Sequence, residues 1–261
     1  MQATPFDELA AEYDRSFTRS ACGMALRAMV WERLPVVFGT RHRILELGCG
    51  TGEDAVHLAR SGHDVVATDA SEEMIRIARL KAAAAGCADR IEFHVMPIEA
   101  LHTLPREQRF DGVFSNFGAI NCVADVPRVA RSLALRLEHH APLMFVVMGR
   151  HVPWEWAWYL AHGDRQRAFR RLRRAGAAWR GLTIHYPTPA ELAQQLAPAF
   201  ETRRRTALGF VLPPSYAAQW LDSRPRWLAA LEAMERITQR VAAGLADHYI
   251  LEAVRAAREP A

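Results

Sequence analysis

Residues 43–52 read Arg-Ile-Leu-Glu-Leu-Gly-Cys-Gly-Thr-Gly, an apolar stretch that runs directly into a glycine-rich turn. The first five residues have the apolar character and the length of a β-strand. A helical pattern starts at Glu53 and stops at Gly62. Because glycine has no Cβ, alternate glycines let the backbone approach a ligand closely. The stretch therefore predicts a strand, a ligand-binding turn and a helix.

The alternation of strand and helix continues outward from this turn. A second strand is predicted at 64–68, ending at Asp69, and Ser71 is placed to cap a helix that runs to Gly86. Strands separated by helices indicate an α/β fold with a parallel sheet and right-handed crossovers. Further strands are predicted at 91–95, 110–114, 143–148, 202–210 and 249–254, with a helix start at Thr188 and a helical stretch that ends at Ala246.

Length and composition are those of an ordinary globular enzyme. Of the 261 residues, 50% are hydrophobic and 24% are charged, with a net charge of +4 that does not call for nucleic acid. The four cysteines show no paired spacing, so neither a zinc site nor a disulfide framework is predicted. The longest apolar run, 141–149, is too short for a spanning helix, and the N-terminus is acidic where an export signal would be basic. We therefore expect a reduced, cytoplasmic protein.

The composition changes outside the alternating region. Six of the seven tryptophans lie beyond residue 150, and a cluster of arginines follows them. No internal repeat or low-complexity linker divides the chain. We therefore predict one domain, 1–261, with a core at 41–150 and lid or substrate segments at 1–40, 150–185 and 210–246.

An acidic residue at the end of the second strand limits the ligand. Asp69 lies at the carboxyl edge of the neighbouring strand, where it can accept hydrogen bonds from both hydroxyls of a ribose. A dinucleotide fingerprint requires a third glycine where this chain has Glu53. A carboxylate in the first turn of that helix opposes a pyrophosphate, so a nucleoside without phosphate is the better match. S-adenosylmethionine is such a ligand.

With these features, residues 43–148 resemble a class I S-adenosylmethionine-dependent methyltransferase of the small-molecule type, and its E-x-G-x-G-x-G loop is intact at 46–52. The resemblance implies a Rossmann-like, seven-stranded, mostly parallel sheet with helices on both faces. It also implies a helical lid from the N-terminus and the insertions. S-adenosylmethionine is the cofactor that it implies, and it implies no metal.

The resemblance also extends to individual positions. Tyr13, on an N-terminal helix over the cofactor, is expected near the methionine end, while Ala70 and Met74 line the adenine pocket. Strand four ends where backbone carbonyls commonly hold the ligand's ammonium. The cofactor-binding residues implied are Tyr13, Glu46, Gly48, Gly50, Asp69, Ala70, Met74, Ile98, Glu99, Ser115 and Asn116.

The residues after strand four also bear on the substrate. Methyltransferases that act on base amino groups resemble one another in an Asn/Asp-Pro-Pro-aromatic motif at this place. This chain has Asn116-Phe-Gly-Ala instead. A small molecule, rather than nucleic acid, is therefore the expected partner.

The expected reaction needs few side chains. Methyl transfer from a sulfonium is an in-line displacement that requires collinear reacting atoms in a dry pocket. A general base is needed for a phenol or alcohol and is superfluous for a carboxylate. His151, directly after strand five, is the predicted catalytic residue, with a capping role as its structural alternative. Glu155 either assists it or faces solvent, and His185, Tyr186 and Asn121 stay open between pocket and structural roles.

Aromatic and basic side chains concentrate after strand five. Trp154 and Trp158 share a helix face, as the wall of an apolar chamber or as part of the core. The arginines are interpreted as a solvated surface, with an anionic substrate, an acidic carrier protein or an anionic membrane surface as alternatives. They are Arg165, Arg167, Arg170, Arg171, Arg173, Arg174 and Arg180.

The favoured function is methyl transfer from S-adenosylmethionine to oxygen or nitrogen of a small apolar or aromatic metabolite. One alternative is a macromolecular methyltransferase that docks an acidic carrier protein or RNA through Arg165–Arg180. The other is a regulatory module that binds a nucleoside without turnover. The acceptor atom and the oligomeric state stay open at this point.

Overall fold

The computed structural model describes residues 4–14, 18–39, 42–105, 107–214, 217–240 and 243–257. Its strands are β1 (Arg43–Leu47), β2 (Asp64–Asp69), β3 (Ile91–Val95), β4 (Gly112–Ser115), β5 (Pro142–Met148), β6 (Ala177–Trp179), β7 (Leu182–Ile184), β8 (Phe200–Leu208) and β9 (His248–Arg255). Its α-helices are α1 (Pro5–Tyr13), α2 (Ala21–Trp31), α3 (Leu34–Phe38), α4 (Glu53–Arg60), α5 (Glu72–Ala84), α6 (Val126–Ala134), α7 (Pro153–Ala161), α8 (Arg165–Ala168), α9 (Pro189–Leu196) and α10 (Pro225–Thr238).

Seven of the strands form one sheet in the order β3-β2-β1-β4-β5-β9-β8. The first five strands of this order pair in parallel, whereas β9 lies antiparallel between β5 and β8. The predicted α/β, Rossmann-like, mostly parallel sheet is confirmed. Strand β8 ends at Leu208, two residues before the end of the strand predicted at 202–210, because Gly209 adopts a φ of +78° and leaves the strand direction.

Helices cover both faces of the sheet. Side chains from α2, α3, α4 and α5 pack on one face, and side chains from α6 and α9 pack on the other. Strand β5 shows the alternation, since Met144 and Val146 enter the first core and Leu143, Phe145 and Val147 enter the second. The predicted helix starts are present: Ser71 and Thr188 accept hydrogen bonds from backbone N–H groups in the first turns of α5 and α9.

The second and third helices are part of the core. Phe38 of α3 is buried and packs edge-on against Phe114, with ring centroids 6.3 Å apart. Gly112 permits this approach, because a Cβ there would lie 2.7 Å from the Phe38 ring. Of the three helices in the predicted lid segment 1–40, α2 and α3 therefore belong to the core, and α1 is the helix that can cover the carboxyl edge of the sheet.

A short hairpin of β6 and β7 stands apart from the main sheet and was not predicted from the sequence. Trp179 pairs with Leu182, so Arg180 and Gly181 alone form the turn, with φ values of +46° and +84°. Such a two-residue turn matches the twist of paired strands. In the part of the chain that the structure describes, no helix is both long and apolar enough to cross a bilayer.

Candidate active site at the carboxyl edge of the sheet

The glycine turn after β1 brings bare backbone to the carboxyl edge. Gly48, Gly50 and Gly52 all have positive φ. A Cβ on Gly48 would lie 2.2 Å from the Cβ of Ala119, so this glycine is required for packing. At Gly50 a Cβ would meet only the ring of Tyr13, at 4.0 Å. Gly50 is therefore the position at which half-buried backbone without a side chain faces the ring of Tyr13.

Asp69 lies at the end of the adjacent strand and supports this turn. Its Oδ2 accepts the backbone N–H of Gly50 at 2.8 Å, and its Oδ1 accepts that of Ser71 at 2.9 Å. A carboxylate offers about four acceptor positions, so capacity for two further donors is left. Burial raises the pKa of Asp69 above its ordinary value, partly offset by these backbone bonds.

Glu46 lies beneath the turn and is only 1% exposed. Its Oε2 has no hydrogen-bond partner among the described residues. Burial, reinforced by the negative charge of Asp54, raises the pKa of Glu46 well above its ordinary value. A buried acceptor without a donor is costly, so Glu46 is placed to receive a donor from a ligand.

The surroundings of the turn are acidic. Lys81 donates to Asp14 and to Glu53, at 2.8 Å each, and Arg27 of α2 forms a buried ion pair with Asp54. These two cations face three carboxylates, those of Asp14, Glu53 and Asp54, so negative charge is in excess even without the carboxyl groups of raised pKa beneath and beside the turn. The excess disfavours pyrophosphate and favours a cationic ligand.

The first helix closes over this edge. Asp7 of α1 accepts a 2.6 Å hydrogen bond from the Ser71 hydroxyl, and Glu8 pairs with Arg180 of the hairpin at 2.9 Å. At the other end of the helix, Tyr13 is half-buried, and burial raises the pKa of its phenol. The helix is thus held at both ends across the glycine turn.

The described residues hold no group of three or more His, Cys, Asp or Glu side chains arranged for a metal ion. Residues 44–139 match a protein family described as a methyltransferase domain. The fold matches the CcbJ methyltransferase from Streptomyces caelestis with a TM-score of 0.64, at 18% identity and over 98% of this chain and 99% of that one. This segment is a class I methyltransferase domain. The family resemblance seen in the sequence is confirmed.

Relatives of this methyltransferase domain act on different molecules. The tRNA 5-carboxymethoxyuridine methyltransferase of Escherichia coli K12 is 32% identical over 97 residues, which is 36% of this chain and 37% of that protein. The demethylmenaquinone methyltransferase of Clavibacter sepedonicus is 36% identical over 118 residues, which is 45% and 46% of the two proteins. The chain thus spans less than half the length of these two relatives.

The remaining predicted cofactor residues lie around the same edge of the methyltransferase domain. Ala70 is half-buried, Met74 is 2% exposed, Ile98 is buried and Glu99 is exposed. Met74 therefore has little exposed surface with which to contact a ligand. Contacts of these four residues with adenine stay predictions.

The side chains of Ser115 and Asn116 have internal partners. The Ser115 hydroxyl donates to the carbonyl of Leu47 at 2.8 Å. The Asn116 amide donates to Asp54 at 3.0 Å and accepts the backbone N–H of Phe117. At both positions the side chain is engaged within the protein, and the binding of a ligand by the backbone carbonyls stays a prediction.

The predicted substrate side shows a mixed outcome. His151 is half-buried, with its ring 6.4 Å from that of Trp156, and its catalytic role stays a prediction. The alternative that Glu155 faces solvent is wrong, and its assistance to His151 stays a prediction. Glu155 is 1% exposed and pairs with Arg171 at 2.7 Å, because a buried carboxylate requires a cation.

Asn121 and Tyr186 have structural roles. Asn121 is fully buried, and its amide ties the end of β5 to the residue that follows β7, through Met148 and His185. Tyr186 is buried, and its ring lies 5.2 Å from the Arg171 guanidinium. The structure does not support a role in the pocket for these two residues, because the Asn121 amide is hydrogen-bonded within the protein and the Tyr186 ring packs against Arg171.

The arginine cluster is a solvated surface with one exception. Five of its members are exposed and Arg170 is half-buried. Arg171 is 5% exposed and bonds Asp247 at 2.7 Å, so the surface interpretation is wrong for this residue. Two buried carboxylates, Glu155 and Asp247, draw it inward. No local sequence signal distinguishes Arg171 from its neighbours.

A buried carboxylate also fixes the segment after β8. Glu235 of α10 is fully buried and accepts four backbone N–H groups, those of residues 209–212, at 2.7 to 3.1 Å. Trp154 of α7 donates its indole N–H to the carbonyl of Val211 at 3.0 Å. The two predicted lid segments, 150–185 and 210–246, are therefore joined to each other, which the sequence alone did not show.

Proposed function

We propose that the chain is a cytoplasmic enzyme that transfers a methyl group from S-adenosylmethionine to an oxygen or nitrogen of a small apolar or aromatic molecule. The observation that carries the proposal is the acidic glycine turn. An excess of carboxyl groups surrounds bare backbone and a ribose-binding acid, which suits a ligand with a sulfonium, an ammonium and a diol but no phosphate.

The residues present fit this cofactor. Asp69 has acceptor capacity for the two ribose hydroxyls, and the unpartnered Oε2 of Glu46 can accept from an ammonium directly or through water. Gly50 presents its backbone without a side chain, and Tyr13 covers it. When bound, the cofactor supplies an activated methyl group on a positively charged sulfur.

The contribution of the protein is placement and exclusion of water. The first helix, held by Asp7 at one end and Asp14 at the other, keeps solvent from the glycine turn. The joined segments after β5 and β8 border the same edge on its acceptor side. Holding the nucleophile in line with the methyl group in a closed pocket is the main demand of such a displacement.

A small acceptor is favoured by the relative that is named for demethylmenaquinone and by the aromatic lid segment. The relative named for a tRNA nucleoside, together with five exposed arginines, supports the alternative of a macromolecular acceptor. Charge reversal at Arg165, Arg173 and Arg174 separates the two. It should leave a small-molecule reaction unchanged and abolish a reaction that depends on docking RNA or an acidic protein.

The test of the proposed function has two steps. Isothermal titration with S-adenosylmethionine and with its demethylated product should show binding in the micromolar range. Incubation with labelled cofactor and a metabolite extract, before and after removal of macromolecules, should then label a small product. A protein that binds neither ligand would refute the proposal, and label confined to RNA or protein would favour the alternative.

A further inference from the structure

Exposed apolar side chains concentrate in the two lid segments, 150–185 and 210–246. Thirteen large apolar side chains are exposed among the described residues, and nine of them belong to these segments. Single exposed apolar side chains are common on protein surfaces, but a concentration of them marks a contact surface. The nine are Trp154, Leu160, Phe169, Leu172, Trp220, Trp227, Met234, Ile237 and Leu245.

Helix α7 places its apolar residues outward and its charged residue inward. The helix reads Pro-Trp-Glu-Trp-Ala-Trp-Tyr-Leu-Ala, so Glu155 is its only charged residue. Glu155 is buried against Arg171, whereas every exposed position of the helix is apolar. A helix that faces water has the opposite arrangement. The exposed positions are Pro153, Trp154, Ala157, Leu160 and Ala161.

Helix α10 shows the same inversion. Its Glu235 is fully buried, because it accepts the four backbone N–H groups of residues 209–212. On the outer side, Trp227 is 62%, Met234 is 53% and Ile237 is 77% exposed. Their spacing of seven and three residues puts these three side chains on one face of the helix.

The two helices are neighbours in the lid. Trp154 of α7 donates its indole N–H to the carbonyl of Val211, and Glu235 of α10 accepts the backbone N–H of the same residue. Both helices are thus fixed to one short stretch of chain while their apolar faces stay exposed.

The charges on the lid are almost all positive. Nine arginines of the two lid segments are exposed, whereas Asp222 is the only exposed acid in the described part of these segments. Three of the nine, Arg167, Arg180 and Arg236, pair with carboxylates. The other six have no carboxylate partner among the residues that the structure describes, and they are Arg165, Arg173, Arg174, Arg224, Arg226 and Arg240.

We propose that the outer faces of α7 and α10 bind the surface of an anionic lipid bilayer. Their tryptophan and aliphatic side chains enter the boundary between headgroups and acyl chains, while the arginines bind the phosphate groups of anionic lipids. Because the helices lie along the interface, this mode of binding requires no membrane-spanning helix. The proposal does not depend on which cofactor or acceptor the carboxyl edge of the sheet holds.

The chemistry of the lid disfavours two other occupants. A second copy of this chain would bring the same arginines of both copies to one contact, where like charges repel. RNA would bind the arginines and stack on the tryptophans, but it has no apolar surface for Leu160, Met234 and Ile237. An anionic bilayer matches both the positive charge and the aliphatic side chains.

The test uses two kinds of vesicle, phosphatidylcholine alone and phosphatidylcholine mixed with phosphatidylglycerol. We expect the protein to sediment with the mixed vesicles and to bind the neutral ones at least about tenfold more weakly. Six of the seven tryptophans lie in the lid segments, so brominated acyl chains should quench the intrinsic fluorescence on binding. Absence of binding to the mixed vesicles would overturn the proposal, as would equal binding to both kinds.

The apolar faces are tested by Leu160→Gln on α7 and Ile237→Gln on α10. Glutamine keeps the net charge, so a change in affinity reports the lost apolar contact. Each variant should bind the mixed vesicles about tenfold more weakly. Leu80→Gln is the matched control, because Leu80 is 60% exposed on α5, outside the lid, and it should bind like the unchanged protein. Thermal unfolding verifies that all three variants are folded. Equal affinities for the three variants would overturn the assignment of the faces.

The charge is tested by the double change Arg173→Ala and Arg174→Ala. Each arginine near an anionic surface strengthens binding about fivefold, so the pair should account for about 25-fold on the mixed vesicles and for little on neutral ones. Sedimentation velocity without lipid tests the second copy: a dimer that Leu160→Gln and Ile237→Gln both abolish would overturn the proposal in its favour. RNA binding that both glutamine variants retain, without vesicle binding by the unchanged protein, would overturn it in favour of nucleic acid.

Discussion

Replacing Asp69 by alanine tests the cofactor site at its most connected side chain. The carboxylate supports the turn through two backbone hydrogen bonds, 2.8 and 2.9 Å long, and keeps acceptor capacity for two more donors. The Asp69→Ala change should therefore remove the two proposed ribose bonds, and it also leaves the N–H groups of Gly50 and Ser71 without their acceptor.

The expected loss of affinity follows from these bonds. A hydrogen bond to a charged group contributes about 1.5–3 kcal/mol, so two ribose bonds correspond to about 3–6 kcal/mol. Since about 1.4 kcal/mol is a factor of ten, affinity for S-adenosylhomocysteine should fall by about 10²–10⁴-fold. The pKa of Asp69 is raised, so the affinity of the unchanged protein should also decline with acidification sooner than an ordinary aspartate would allow.

Isothermal titration of S-adenosylhomocysteine, from pH 4.5 to 8 as a test range, measures both effects. Asp64→Ala is the matched control, because Asp64 begins the same strand and its side chain is 73% exposed. Thermal unfolding separates lost ligand bonds from a collapsed turn. Binding by Asp69→Ala within threefold of the unchanged protein would refute the assignment of this acid to the ribose.

Three further changes test separate parts of the structure. Arg171→Met should destabilise the protein by about 3–5 kcal/mol in urea unfolding, because it removes the buried guanidinium that pairs with both Glu155 and Asp247. Glu46→Gln should abolish a loss of stability with rising pH. Between pH about 4.3 and the raised pKa of Glu46, the folded state holds a proton that the unfolded chain has released. In this range the free energy of unfolding should therefore fall by up to about 1.4 kcal/mol for each unit of rising pH. Lys81→Met should speed dissociation of S-adenosylhomocysteine about fivefold in stopped flow, since about 1 kcal/mol of ion pairing holds the first helix.

Each of these changes has a contrary outcome. Arg173→Met, at an exposed neighbour, should cost no more than about 0.5 kcal/mol, and equal costs for the two arginines would disprove the buried network. A pH slope that persists in Glu46→Gln would assign it to another group. An unchanged dissociation rate in Lys81→Met would show that the ion pair with Asp14 does not hold the helix, which keeps the hydrogen bond from Thr51 to Asp14.

The cofactor edge was predictable because its determinants are local. Positive φ at alternate glycines, an acid at the end of the next strand and a serine cap are all encoded within a few residues of where they act. Gly50 and Asp69 meet because parallel neighbouring strands end at one edge. Periodicity likewise predicted the strands of the main sheet, with errors of about two residues at their ends, but not the hairpin of β6 and β7.

The acceptor side was not predictable, because its contacts join distant parts of the chain. Arg171 and Asp247 are brought together by the pairing of β9 with β5, and nothing near either residue indicates the other. The same holds for Glu155, which the sequence offers as a solvent-facing or catalytic side chain and the fold uses as a buried counter-charge. Exposure of a charged residue in an insertion depends on what packs against it.

Lys81 is the only lysine in the chain. Its ammonium lies between Asp14 and Glu53, with 23% of the side chain exposed. An acylating reagent needs the free amine, so it can modify this nitrogen only while those contacts are open. Peptide mass mapping after brief acylation would therefore count, at one native atom and without any engineered label, how often the first helix lifts from the glycine turn.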